Sequence, residues 1–443
     1  MATGATIADA LPCDGSAGEE IWAIAARIFP ICRSITGNGV RKTLAELACM
    51  VPIELHEIAS GTAVLDWTIP PEWNLRSAHI ADSRGRRLVD LADNTLHVVS
   101  YSTPVRATMS LAELRPHLHS LPDQPDLIPY RTSYYRPAWG FCLQHRLLAT
   151  LPEDTYEVVI DASLEPGSLT YGEALVPGET ADEILLSAHV CHPSLANDNC
   201  SGLALLTWLG RFLASRRTRY TYRFLFAPGT IGSIAWLATN RGRLGVIRHG
   251  MTVSNVGDSG GPVYKRSRRG TADVDRAAAL VLRNAGATAR LLDFSPYGYD
   301  ERQYCSPGFD LPVGAFQCSR WGEFPEYHTS ADNLSFIQPQ HLERSLRLIC
   351  EIIDILEGDA LLRSTMPYGE PQLGRRGLYD DPSGQPLPEN VRMALLWVLS
   401  LADGRQSLLA MAERSGVPFA ALRLAADRLL AAGLLESMPP AGA

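Results

Sequence analysis

The sequence predicts an α/β fold built on a largely parallel sheet, and three observations point to it. From about residue 155 onward, β-rich runs alternate with helical runs, the pattern of strands joined through crossover helices. A dense His/Asp cluster follows the end of one such strand and precedes a helix, where open α/β sheets carry their chemistry. Hydrophobic residues make up 46% and charged residues 20% of 443 positions, the balance of a globular chain long enough for more than one core.

Residues 1–18 are small, polar and rich in Gly and Ala, and read as a disordered tail. The region 19–51 reads as two helices: Ile21, Ile24, Ala25 and Ile28 share one helical face, Gly37 and Gly39 mark a turn, and a second helix runs over 40–50. Residues 52–150 read as an inserted β-rich domain, with short strand-like runs at 52–57, 78–82 and 96–101. Its aromatic block, Tyr134, Tyr135, Trp139 and Phe141, reads as core or domain interface.

The region 151–363 carries the alternation. Strands are expected at 155–161, 171–176, 183–190, 221–227, 251–256 and 311–317, and helices at 202–215, 231–240, 274–285 and 339–357. The Gly/Pro-rich stretch 364–388 reads as a linker. Residues 389–443 hold three helical segments separated by Gly404 and Gly416, the layout of a small winged-helix module.

Composition excludes several classes of function. A formal net charge of −8 disfavours bulk attraction to nucleic acid or anionic lipid. Between Glu389 and Glu436 five Arg face five Asp or Glu, so the C-terminal module lacks the basic stripe of a DNA reader. The nine cysteines include no Cys-x-x-Cys pair, which argues against a thiolate zinc finger or a disulfide framework. No apolar run approaches the roughly 18 residues of a membrane span. The first twenty residues carry no Lys or Arg, so a cytoplasmic location is expected.

Three polar clusters can carry chemistry. The run from Ser187 to Gly202 offers His189, His192 and Asp198, whose imidazole nitrogens and carboxylate oxygen suit Zn²⁺. Helix capping alone, which Asn199 or Ser201 can provide, does not explain two histidines beside an acid. The run from Glu323 to Asp332 contains His328, and the run from Tyr299 to Tyr304 sets Asp300 and Glu301 beside Arg302. By themselves, a loop histidine and a surface ion pair are the plainer readings of these two.

Taken together, the runs from His192 to Asn199, Asp300 to Cys305 and Glu326 to Ser330 resemble the aminopeptidase-like family found beside bacterial polysaccharide biosynthesis, a branch of the zinc aminopeptidase superfamily. The resemblance spans about Ile21 to Leu435. It includes the runs from Arg33 to Gly39, His119 to Pro125 and Gln372 to Leu378. It implies a three-layer sandwich with an inserted β domain and a C-terminal winged helix.

The resemblance also implies the metal ligands His192, Asp198 and His328, with His189 outside the His-Pro-Ser motif but still a rival for the first ligand. Two positions depart from the superfamily pattern. Gly229-Thr230 stands where a Glu-Glu pair supplies the base and a ligand, and Asn255 stands where an aspartate ligates, with Asp258 a displaced substitute. One zinc ion is therefore expected rather than two.

With no glutamate at 229, Glu301 is the first candidate for general base and Asp300 the second. Arg302, Tyr304, Glu326 and Glu173 are candidates for substrate binding. The expected activity is zinc-dependent hydrolysis of an amide in a small peptide or aminoacylated metabolite. The alternative is a catalytically degenerate metal- or ligand-binding protein of polysaccharide or natural-product biosynthesis. No nucleic-acid or membrane partner is expected, and self-association is left open.

Overall fold

A computed structural model describes residues 6–379, 385 and 389–439. Its contacts divide the chain into two units. One comprises residues 12–272 and 287–346; the other comprises 1–11, 273–286 and 347–443.

The larger unit is organised by an eight-stranded sheet. Its strands are β1 (Glu54–Ala59), β2 (Ser168–Val176), β3 (Glu183–His189), β4 (Thr221–Ala227), β5 (Ile247–Val253), β6 (Val263–Lys265), β7 (Arg290–Leu292) and β8 (Val313–Gln317), in the spatial order β1-β2-β4-β3-β5-β8-β6-β7. The centre is parallel: β3 pairs with both β4 and β5, and β5 pairs with β8. The flanks are antiparallel, at β1–β2, β2–β4 and β6–β8.

Strand alternation sets the layers. Phe224 of β4 meets helix α2 (Gly202–Leu213), where a Cβ added at Gly210 would lie 3.4 Å from its ring. Leu225 and Ala227 instead join the core of helix α3 (Ile231–Asn240), with Ile231, Ile234 and Ala235. Successive side chains point to opposite faces, so α2 and α3 cover opposite sides of the sheet. Helix α1 (Ser16–Ile28) packs on the outer side of α2. The expected α/β sandwich is present.

A second, four-stranded antiparallel sheet runs Arg87–Asp90, Glu72–Ala81, Thr155–Glu165, Val105–Ser110. Two strands changed sheets relative to the expectation. Glu54–Ala59 edges the main sheet, with Leu55 opposite Gly172, and Thr155–Glu165 is central to the small one. Periodicity marks a strand but does not name its partner.

The other unit contains the three-stranded sheet Asp403–Ser407, Leu361–Ser364, Leu435–Met438, and the helices Glu389–Leu401, Leu408–Ser415 and Phe419–Ala431. Leu373 and Leu378, expected within a linker, are buried in its core because they supply apolar anchors in an otherwise polar stretch. The rest of that expected linker, 380–384 and 386–388, lies outside the described residues. The expected N-terminal tail is also partly structured. The amides of Ile7 and Ala8 donate to the Asp354 carboxylate, and α1 begins at Ser16. Residues 1–5 lie outside the described set. No helix among the described residues is long and apolar enough to cross a membrane.

Candidate metal centre

The parallel strands β3, β4, β5 and β8 present their carboxyl ends on one side of the sheet, and the polar clusters gather there. β3 is buried along its whole length and ends on His189. The chain then enters a six-residue turn, Ala196–Ser201, in which Asp198 leaves helical geometry (φ −109°, ψ 79°).

Side chains distant in sequence fix this turn. The Asp332 carboxylate accepts hydrogen bonds from the amides of Asn197 (2.6 Å) and Asp198 (3.0 Å). Asn197 Nδ2 donates to Asp258 (2.7 Å), and Ser201 Oγ donates to the Asn197 carbonyl (2.7 Å). Gly202 is needed at the exit, since a Cβ there would lie 2.4 Å from both Asn199 Oδ1 and the Val253 carbonyl. Arg33, 1% exposed, donates from Nε to the His192 carbonyl (3.0 Å) and so ties the loop to the segment after α1.

Three imidazoles surround one carboxylate. His189 Nε2 lies 2.8 Å from Asp198 Oδ1, and His328 Nε2 lies 3.0 Å from Asp198 Oδ2. The ring of His192 is 4.8 Å from that of His189 and 5.3 Å from that of His328, centroid to centroid. Ligand atoms of His189, His192 and Asp198 all fall within 4.8 Å of one another. The structure therefore brings His192, Asp198 and His328 together, and adds His189 on the carboxylate itself.

The charge states follow from burial and neighbours. Burial alone would raise the Asp198 carboxyl, but the surrounding imidazoles, His192 foremost, outweigh it and hold it well below its ordinary value. Desolvation depresses His192 well below the usual histidine range, which keeps it neutral. A neutral imidazole beside an ionised carboxylate is the state a divalent cation requires of its ligands. The donor chemistry fits such an ion, with oxygen and nitrogen donors in reach of one point.

Several other candidates lie elsewhere. Glu301 is fully buried and pairs with Lys265, and its two oxygens also accept the Tyr299 amide at 3.2 and 3.0 Å. It holds the Tyr299 backbone rather than facing the histidines. Asp300 is 2% exposed and accepts a hydrogen bond from Ser233 Oγ (2.9 Å); burial pushes it up to about 6, against the attraction of His189. Tyr304 Oη bonds Ser187 Oγ inside the core. Glu173 is buried against Arg223 and the Trp236 indole. Arg302 is exposed, and Glu326 is half-buried, with its backbone carbonyl capped by Thr329. Asp258 is engaged by Asn197 and Ser319 as a brace.

Tyr299 and Tyr130 were not singled out from sequence. A Cβ at Gly229 would lie 2.0 Å from Cε1 of Tyr299, so the tyrosine ring fills the space a side chain at 229 would need. Its hydroxyl is 3.2 Å from Cys191 Sγ, and its ring is 4.2 Å from that of His189. Tyr130 packs edge-on against His192 and His328, and its amide donates to the His328 carbonyl (2.8 Å). The only sequence signal for Tyr299 was its place beside Asp300. Tyr130, Tyr299 and Gly229 line a cavity of ≈ 280 Å³ together with His192 and His328.

The fold is that of an aminopeptidase-like protein. BSAP, a zinc aminopeptidase from Bacillus subtilis, superposes with a TM-score of 0.57 at 14% identity, over 77% of this chain and 95% of that one. The chain belongs to the family described as "Domain of unknown function (DUF4910)", which matches residues 22–359, and a winged helix-turn-helix family matches residues 360–437. A Clostridium acetobutylicum protein, provisionally named a polysaccharide biosynthesis protein with an aminopeptidase-like domain, is 47% identical over 95% of this chain and 96% of its own length. A crystal structure from the same organism, described provisionally as a peptidase, has a TM-score of 0.91 at 46% identity, covering 96% of this chain and 97% of that one.

Proposed function

We propose that this protein is a metal-dependent hydrolase that uses one zinc ion to cleave an amide bond in a small peptide or aminoacylated metabolite. The observation that carries the reading is the ring of imidazoles around Asp198, two of which, His192 and His328, line a substrate-sized cavity. The peptidase-like fold supports the same class of reaction. The proposed ligands are His192, Asp198 and His328, with His189 holding the Asp198 carboxylate.

When bound there, zinc supplies Lewis acidity toward a carbonyl group and toward water. The chain's own residues do the rest. Asn199 Nδ2, 3.4 Å from His189 Nδ1, leaves His189 Nε2 for Asp198, and Asp332 immobilises the turn that carries the carboxylate. Tyr299 faces the cavity and is assigned to hydrogen-bond the carbonyl oxygen as it gains charge. Glu301 acts through Tyr299 by fixing its amide.

The test is metal analysis of the purified full chain together with an amide-hydrolysis assay. Wild type is expected to hold about one zinc per chain. Asp198→Asn and His192→Ala are expected to lose the metal and to lower turnover by at least about a hundredfold. Full zinc content in both variants would remove the assignment.

A further inference from the structure

The cavity wall above the histidines has a chemistry of its own. It is built from Ile35, Ile231 and Ile234, which are 1%, 3% and 4% exposed, and from Trp67 and Tyr135 at the mouth. The last two are nearly half exposed, with rings 5.3 Å apart. Among the described residues, the lining contains no Asp, Glu, Lys or Arg.

The carboxylates of Asp198, Glu301 and Asp258 are already engaged. Asp198 has an imidazole on each oxygen, Glu301 is paired with Lys265, and Asp258 is held by Asn197 and Ser319. At 229 there is no side chain, and the Tyr299 ring excludes one. An ammonium group carried into this cavity would give up water without meeting a carboxylate in its lining, which is costly. An uncharged apolar group would instead bury surface against the isoleucines and the aromatic mouth.

On the amide-hydrolase reading above, but in place of its aminoacyl substrates, we infer that the substrate places an uncharged, apolar acyl group in this cavity. The enzyme is then a deacylase of N-acyl amines rather than an enzyme releasing amino acids with a free α-ammonium. The amide C–N bond breaks and the oxygen of water bonds to the acyl carbon. One water proton ends on the leaving nitrogen, and the carboxylic acid releases the other on ionising. A volume of ≈ 280 Å³ suits an arylalkanoyl or branched aliphatic group.

The test uses two pairs of compounds that differ only in the ammonium, with the full metal-loaded chain at pH about 6.5, where an α-amine is protonated. Hydrolysis is compared between 3-phenylpropanoyl p-nitroanilide and L-phenylalanyl p-nitroanilide. Binding of 3-phenylpropanamide and L-phenylalaninamide is measured by calorimetry. The compounds without the amine are expected to be preferred at least tenfold in both kcat/KM and Kd.

Equal or better use of the ammonium compounds overturns the inference. If neither anilide is cleaved, the hydrolase reading fails, and the calorimetric preference alone then decides the nature of the cavity. Failure of 3-phenylpropanamide to bind overturns the inference as well. Thr132, exposed and part of the lining, provides the converse variant. Thr132→Asp is expected to narrow or reverse the preference in Kd, and an unchanged ratio counts against the inference.

Discussion

At Gly229 the space that a side chain would need is already occupied. The Tyr299 ring lies where its Cβ and beyond would go, so glycine and tyrosine are complementary in volume. Gly229→Ala is therefore expected to destabilise the fold by about 1–3 kcal/mol through overpacking. Removing the ring by Tyr299→Ala should relieve that clash, so the double variant loses less than the sum of the single losses. Urea denaturation of the three proteins measures this, and strict additivity would refute the packing argument. For the same reason Gly229→Glu is expected to disturb Tyr299 rather than install a working base. His328 (φ 55°) and Asn255 (φ 52°) hold left-handed backbone beside the same cluster, conformations that persist only where surroundings impose them.

Among the elements, one ion pair ties four segments of the larger unit. Arg41, on the helix Asn38–Ala48, places Nη1 and Nη2 2.7 Å from the two oxygens of Glu72, and its Nε contacts Glu57 of β1. Glu72 also accepts the amide of Ser168 at the start of β2 (3.0 Å). The bidentate hydrogen bonds from Arg41 hold the Glu72 carboxyl down at about 2, against an ordinary value of 4.5. A carboxyl depressed in the folded state stabilises above its unfolded value and loses that contribution as pH falls through the folded one. The stability difference between wild type and Glu72→Gln is thus expected to be about 1–3 kcal/mol at neutral pH and to shrink between pH 4.5 and 2. Denaturation titrations over that range test the sign; a difference that grows on acidification would contradict it.

For the whole molecule, the C-terminal unit has the secondary structure of a winged helix without the charge of a DNA reader. In the helix Phe419–Ala431, Arg423 is already bonded to Asp427 (3.0 Å) and to the Gly358 carbonyl (2.8 Å). Neutralised or engaged cations release few counterions from a duplex. The full chain is expected to show no salt-dependent binding to duplex DNA in fluorescence anisotropy. Micromolar binding that weakens with added salt would reverse that expectation.

Features set by neighbouring residues were legible in the sequence. The alternation after residue 155, the helical faces of α1, α2 and α3, and the strand-end cluster at 187–202 depend on local spacing, which periodicity reports directly. So did the small helices at the C-terminus. Partnership between distant segments was not legible. His328 reaches Asp198 across 130 residues, Lys265 claims Glu301 across 36, and Tyr299 fills the space at Gly229 across 70. Each depends on which chain segments the sheet order brings together. By itself, then, the sequence determined the layered α/β class and the types of donor available. Tertiary structure decided that His189 shares Asp198, that Glu301 supports Tyr299 instead of facing the site, and that the cavity above them is uncharged. The physical reason is that donor chemistry belongs to single residues, whereas charge pairing and free volume belong to surroundings assembled from the whole sheet.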